Sequence, residues 1–384
     1  MDNIRHIFYR TVLVFTFAGG CTGLLWPTTR AGTTTADFLT IIPDARVSSM
    51  GSSSTAVIDE ASSLNWNPAS LGIVSRNDVS LSTMKLNSFD DGFLEGAKLI
   101  NVNASMIGAD FIGSGKKGPF ADAGNFGASL VYADYGSVPI TEDTPDAIGS
   151  FTPRNFAFGA YYGNRFDTNE WTRNLPIGIG IKYINQSLGQ YSSNGFAFDL
   201  GSALIMPQSS PMRGFTFGLS ILNLGAAGAF IDESDPLPLT FRTGTAYRFF
   251  MNDVVKLMGG PGNFFRTIGE DGLLTLDVTK VLSNDFVIGT GLELRFFEML
   301  MIRTGYEFNQ DTRGFTVGTG FRYNTGAEAY SINFAWVPQR LIGDNFRLSL
   351  SYTWGLHAGS GSRDELEGSD KVKIRRRSGL SFDD

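Results

Sequence analysis

The chain has a single cysteine, two histidines and no excess of basic residues, and each shortage removes a class of protein. With Cys21 alone, neither a disulfide scaffold nor a cysteine-based zinc site can form. The histidines, His6 and His357, stand near the two ends, so no Ser-His-Asp triad and no multi-histidine metal site is expected in between. A carboxylate pair of the glycosidase kind would need two acids brought together on one face, and no segment does this recognisably. No catalytic residue, no metal and no cofactor is therefore expected. A formal net charge of -7 argues against nucleic acid as a partner, because neutralising phosphates needs a face rich in Lys and Arg.

Long hydrophobic runs are also missing. Mean hydropathy is -0.02, and after residue 31 no stretch approaches the roughly 20 apolar residues of a spanning helix. The one apolar run, Thr11 to Trp26, follows Arg5 and Arg10 and precedes the small-residue site Thr29-Arg30-Ala31 before Gly32. These are the three parts of an export signal, so residues 1–31 are expected to be removed near Ala31. A lipoprotein signal ending at Cys21 is the rival, but Phe17-Ala18-Gly19-Gly20 lacks the aliphatic residue such sites carry.

What the chain does have is glycine, 46 residues of it, and 13% aromatics. From Val79 onward, segments of about ten residues alternate apolar with small or polar side chains and end in Gly, Pro, Asn or Asp clusters. In the last segment Phe346, Leu348, Leu350, Tyr352 and Trp354 share one face, and Arg347, Ser349, Ser351 and Thr353 the other. Phe196, Phe198, Leu200 and Leu204 oppose Ala197, Asp199, Gly201 and Ala203 in the same way.

About fourteen such segments are predicted, at 79–87, 101–112, 125–135, 155–163, 176–187, 195–206, 214–223, 237–248, 272–282, 285–296, 300–308, 314–324, 329–337 and 345–355. An even number of strands, an apolar face and aromatics at segment ends (Tyr161, Tyr162, Phe249, Phe250, Phe296, Phe297, Tyr352, Trp354) are the pattern of an outer-membrane barrel. A propeller would repeat every 40–50 residues or so, and no such repeat is present. Few charges fall on the second face: Lys182, Asp199, Arg242, Asp277, Glu293, Arg322 and Arg347. In a barrel they must point into the lumen, where pairing with one another is the simplest expectation.

The expected fold class is all-β, a membrane-spanning antiparallel barrel of about fourteen strands with an N-terminal plug. Its divisions are a signal over 1–31, an N-terminal segment inside the barrel over 32–77, the barrel over 78–356 and a flexible tail over 357–384. The tail carries Lys371-Val372-Lys373-Ile374-Arg375-Arg376-Arg377, a charge run best read as solvated. Asp232-Glu233-Ser234-Asp235 offers clustered oxygen atoms, for which a solvated loop is likewise the simpler account.

The segment before the first strand does not alternate and is too long for an idle leader. It runs Asp44-Ala45-Arg46-Val47-Ser48-Ser49-Met50-Gly51 and then Ala56-Val57-Ile58-Asp59-Glu60-Ala61-Ser62-Ser63-Leu64-Asn65-Trp66-Asn67-Pro68-Ala69-Ser70-Leu71-Gly72. This resembles the N-terminal segment of PorV/PorQ-type outer-membrane proteins and, more distantly, of the FadL-type transporters of hydrophobic compounds. Asn67, Pro68 and Ala69 match the Asn-Pro-Ala motif of the FadL-type hatch. The likeness extends from about Ala36 to Leu356 and departs at Ser48 to Ser54 and at the C-terminus.

The resemblance implies a fourteen-stranded barrel with a hatch built around Asn65, Trp66, Asn67, Pro68 and Ala69, with Leu64, Trp66 and Ile73 as candidate ligand-lining residues. Pro68 fixes its own φ and drives Asn67 out of the helical region, so a tight bend is expected there whether or not a ligand touches it. Two functions follow: passage of a hydrophobic small molecule through a hatch-gated lumen, or a PorV-like part in type IX secretion that binds exported proteins. A purely structural outer-membrane role is the third. Expected partners are outer-membrane lipid, that small molecule or those exported proteins, and the barrel-assembly machinery during biogenesis.

Overall fold

The computed structural model describes residues 34–85, 97–108, 124–141, 147–165, 173–207, 209–230, 235–250, 269–310, 313–325, 328–339 and 343–355. The expected signal, its cleavage site, the tail, both histidines and Asp232 to Ser234 lie outside the described residues.

The strands are β1 (Asn77–Lys85), β2 (Lys98–Ile107), β3 (Asn125–Asp134), β4 (Val138–Ile140), β5 (Gly149–Phe151), β6 (Arg154–Asn164), β7 (Ile177–Leu188), β8 (Tyr191–Ile205), β9 (Phe215–Ala227), β10 (Thr240–Phe250), β11 (Gly269–Val281), β12 (Phe286–Phe296), β13 (Leu300–Phe308), β14 (Phe315–Asn324), β15 (Ala329–Gln339) and β16 (Gly343–Trp354). All but β4 and β5 join into one closed barrel of fourteen strands, each antiparallel to its neighbours. Closure is made by β1 against β16, from Asn77↔Trp354 to Met84↔Arg347. A closed sheet leaves no edge, so its backbone donors and acceptors are paired within the wall. The β4–β5 hairpin stands apart, too short for its alternation to be seen in sequence.

The alternation sets what each face meets. Along β8, Phe196 is 57% exposed and Phe198 52%, while the intervening Ala197 and Asp199 are fully buried. In β16, Phe346, Leu348 and Leu350 face out and Arg347 and Ser349 face in. The barrel is inside-out: large apolar side chains cover its exterior and charges lie within. Two aromatics expected to flank a headgroup region part company. Tyr162 is exposed, but Tyr161 is buried with its hydroxyl 3.4 Å from Asp199 Oδ2. Adjacent strand residues must point to opposite faces, so only one of the pair could be a girdle residue.

Residues 34–76 run through the barrel interior. Thr35 N donates to Pro236 O, and Gln186 bonds both Thr35 and Ala36, which puts this end at the rim opposite Asn77. Four short helical turns follow, Asp37–Thr40, Ala45–Ser48, Ala61–Asn65 and Pro68–Ile73, and the chain then enters β1 at the other rim. Asp44 caps Ala45–Ser48 by accepting from Val47 N. Asn67 adopts an extended φ of -155°, its Oδ1 accepts from Ala69 N, and Pro68 opens the last turn, where its missing N–H costs nothing.

Candidate functional site

Two cavities lie along the inner segment. The first, about 70 Å³, is bounded by Phe38 to Pro43, Asn65 and Trp66 and by wall residues that include Lys182, Asn223 and Arg242. The second, about 100 Å³, is bounded by Ala56 to Asp59, Ile73, Ile205, Phe215, Ala246 and Leu273.

Three consecutive wall strands place these cavities in the same order. On β9 the second cavity touches Thr216, a Cβ on Gly218 would fall 2.2 Å from Thr55 O, and the first cavity touches Leu222 and Asn223. On β10 the sequence is Ala246, Gly244 beside Thr55, then Arg242 and Thr240. On β11 it is Leu273, Asp277, then Thr279 and Val281. The lumen therefore has two chambers with a constriction between them, built from Ser54, Thr55, Asn67 and Pro68.

Glycines make this approach feasible. Gly178 pairs with Gly201, and the run Gly218↔Gly244↔Asp277↔Gly289 continues the same girdle across four strands. A Cβ at Gly178 would stand 2.1 Å from Pro68 O, and one at Gly289 2.1 Å from Gly51 O, so only glycine lets the inner backbone touch the wall there. The small residues of the second face are thus the seat of the inner segment.

Polar contacts hold the constriction. Asp277 Oδ2 accepts from Ser54 N and Thr55 N at 2.8 Å each and from Thr55 Oγ1 at 2.6 Å. Arg242 donates to Ser52 O at 2.8 Å and lies 3.5 Å from the same carboxylate oxygen. Asn67 Nδ2 donates to Thr55 O at 2.7 Å and to Ser202 O at 3.1 Å, tying the two parts of the segment to each other and to the wall.

A second tether is ionic. Arg46 contacts Asp59 at 2.7 Å, Glu60 at 2.9 Å and Glu293 at 2.9 Å, and Arg303 completes Glu293 at 2.6 Å. Arg248 reaches both Asp59 and Asp271, and Arg295 reaches Asp271. Four cations meet four anions, so the cluster is neutral as a whole. Burial works against the Arg46 charge, but Asp59, Glu293 and Glu60 outweigh it and hold its proton more tightly than usual. Burial and nearby Glu60 push the Asp44 carboxyl up. Of the lumen charges expected to pair, Lys182 meets Asp199 at 2.9 Å and Arg242 meets Asp277. Glu293 pairs instead with Arg303 and Arg46, and Arg347 bonds Ile42 O and Ser48 Oγ. Among the described residues no group of three or more His, Cys, Asp or Glu could hold a metal ion.

The sequence-predicted residues divide between these regions. Asn65 and Trp66 border the first chamber, and Asn65 Nδ2 donates to Asn101 Oδ1 and Asn103 Oδ1 at 2.9 Å. Asn67 and Pro68 form the constriction. Ala69 packs with Ile58, Ala203 and Ile205, beside Ile73, which borders the second chamber. Leu64 borders neither cavity: it packs on Leu71 and Tyr161. The stretch Phe38 to Pro43 and the residue Thr55 had no sequence signal, because their roles depend on wall residues far along the chain.

The wall is irregular beside the first chamber. The β8–β9 register shifts between Phe198 and Leu200, Leu222 and Asn223 are both buried, and Asn223 takes a φ of 61°. Pairing of β9 with β10 ends at Leu222↔Thr240; beyond it Leu224 to Ala227 pair with β8, and Ala226 also bridges to Pro236. Asn223 N donates to Asp199 Oδ1 at 2.8 Å, which fixes the bulge.

Fold and site together define a closed, inside-out antiparallel barrel whose lumen is filled by its own N-terminal segment. No protein-family model matches the chain, and no curated protein matches it. Solved structures similar to it include the CymD monoaromatic hydrocarbon channel, with 11% identity over 82% of this chain and 97% of that one and a TM-score of 0.48. A Pseudomonas aeruginosa FadL homologue shares 12% identity over 87% of this chain and 99% of that one, with a TM-score of 0.41. The Acinetobacter baumannii outer membrane protein Omp33 shares 11% over 74% and 100%, with a TM-score of 0.35.

Proposed function

We propose that the chain spans a bacterial outer membrane and passes an apolar small molecule through its two chambers, with residues 34–76 acting as a hatch. The observation that carries this is the order chamber, constriction, chamber along β9, β10 and β11. Apolar side chains such as Phe196, Phe198, Ile179 and Ile302 on the exterior call for lipid around the barrel. Inside, side chains such as Phe38, Ile41, Trp66 and Leu222 give the first chamber apolar walls of the kind a small hydrophobic ligand needs. The constriction is held by hydrogen bonds and by a neutral ion cluster rather than by covalent links, so it can open and reclose. No observation among the described residues favours the binding of exported proteins.

Entry of an apolar fluorescent dye, N-phenylnaphthylamine, into cells with an intact lipopolysaccharide leaflet tests this. Cells producing the protein should take up the dye several-fold faster than cells without it, while permeation of a small sugar stays unchanged. Equal dye entry, or sugar passage of the open-pore kind, would contradict the proposal.

A further inference from the structure

The outer surface of β1, β2, β3 and β6 changes character along its height. These four strands are successive neighbours in the wall, so residues in register form rows across them. Leu81, Val102, Leu130 and Phe158 make one outward row, wholly apolar and largely exposed. Outward positions recur every second residue. Toward the rim away from Asn77 the next row is Thr83, Ile100, Tyr132 and Phe156, and the one after it is Lys85, Lys98, Asp134 and Arg154. Toward the other rim the same face carries Met106, Phe126 and Tyr162 in register, all uncharged.

The charged row is unbalanced. Lys85 and Lys98 are exposed and stand directly opposite each other across β1 and β2, where like charges destabilise a strand pair. Asp134 is claimed on the side away from β1: Arg154 Nε lies 3.4 Å from its Oδ2, and the Tyr132 hydroxyl donates to the same oxygen at 3.2 Å. The Arg154 side chain nevertheless stays 60% exposed. Among the described residues neither lysine makes an ion pair. Asp344 of β16 stands one alternation further from the apolar row, since Thr83 is in register with Leu348. Three cations against one carboxylate leave an excess of positive charge at the edge of the apolar belt.

The chain ends say which leaflet this edge meets. β1 begins and β16 ends at the other rim. A barrel inserted from the periplasm keeps both ends on the side of entry, because carrying polar chain ends across lipid is costly, so the Lys85 rim faces the outer leaflet.

We infer that Lys85, Lys98 and Arg154 form a binding site on the outer wall for a phosphorylated glycolipid of the outer leaflet, with its acyl chains along Leu81, Val102, Leu130 and Phe158. This rests on the reading of the chain as an outer-membrane barrel and adds a lipid partner that solute passage does not require. A phosphate between the two lysines replaces their repulsion by two charge-assisted contacts. The four strands spread the cations over about 14 Å, the span of a disaccharide headgroup with a phosphate at each end.

The test is native mass spectrometry of the full-length protein released from detergent micelles, with diphosphorylated lipid A, lipid A stripped of both phosphates, and phosphatidylglycerol as probes. The native protein should hold diphosphorylated lipid A about tenfold more tightly than either of the others. The double variant Lys85→Gln and Lys98→Gln should lose that preference. Lys280→Gln is the control and should bind as the native protein does: Lys280 lies at the same rim on β11, and its Nζ already donates to Asn284 O at 2.6 Å. A band shift on boiling shows that each variant has closed its barrel. Equal retention of the three lipids by the native protein, or a double variant that keeps the preference, would overturn the inference and leave the barrel reading standing. Recovery of the native protein in water without a detergent belt would overturn both.

Discussion

Replacing Arg46 by alanine is expected to release the inner segment from the wall while the barrel stays closed. The guanidinium is the shared partner of Asp59, Glu60 and Glu293, and it is almost wholly buried. Removing one partner of a buried ion pair costs about 3–5 kcal/mol, chiefly because the remaining charges are left desolvated and unpaired. Glu293 keeps Arg303 and Asp59 keeps Arg248, and both Asp59 and Glu60 retain some solvent contact, so the loss should lie near the lower end of that range. Wall pairing does not involve Arg46. Limited proteolysis in mild detergent should then cut within residues 34–76 in Arg46→Ala and spare the native protein, with the barrel fragment intact in both. Arg46→Lys should fall between, since a single ammonium cannot meet three carboxylates with the geometry of a guanidinium. Equal resistance of all three proteins would show that the cluster does not hold the segment.

Locking the constriction should stop passage altogether. Ser53 Oγ and Thr275 Oγ1 stand 2.5 Å apart, one on the inner segment and one on β11. Sulfur atoms in those places are close to the roughly 2.0 Å of a disulfide bond. With residues 1–31 removed, as the sequence leads one to expect, the chain has no cysteine of its own to interfere. The pair Ser53→Cys and Thr275→Cys should therefore cross-link on oxidation, lower dye entry to the level of cells lacking the protein, and regain it with a reductant. The single variant Ser53→Cys, oxidised in the same way, is the control, because it has no second thiol to form the cross-link. Unchanged dye entry with the constriction fully cross-linked would mean that solute passes around the segment without moving it.

The barrel was legible in the sequence because its cause is local. Alternation of side chains along a strand needs no knowledge of the partner, so Phe346 to Trp354 and Phe196 to Leu204 identified their faces directly, and each of the fourteen predicted segments overlaps a barrel strand. Tyr161 departs from the girdle expectation because the period-two phase of its strand turns it inward beside Asp199. The site was less legible. The bend at Asn67-Pro68 follows from local stereochemistry, but the wall partners of Arg46 and Thr55 lie more than 200 residues away, at Glu293 and Asp277. Nor does composition say which of the 46 glycines form the girdle; that depends on register, as in Gly218↔Gly244.

The central claim is a closed barrel that faces lipid, and the most direct measurement is electrophoretic mobility of the outer-membrane fraction with and without boiling. The account predicts that the protein is found in that fraction and that the unboiled form runs as a compact band which shifts on heating, because fourteen mutually paired strands resist detergent until the closed wall is broken. A soluble periplasmic protein with one mobility under both conditions would contradict it.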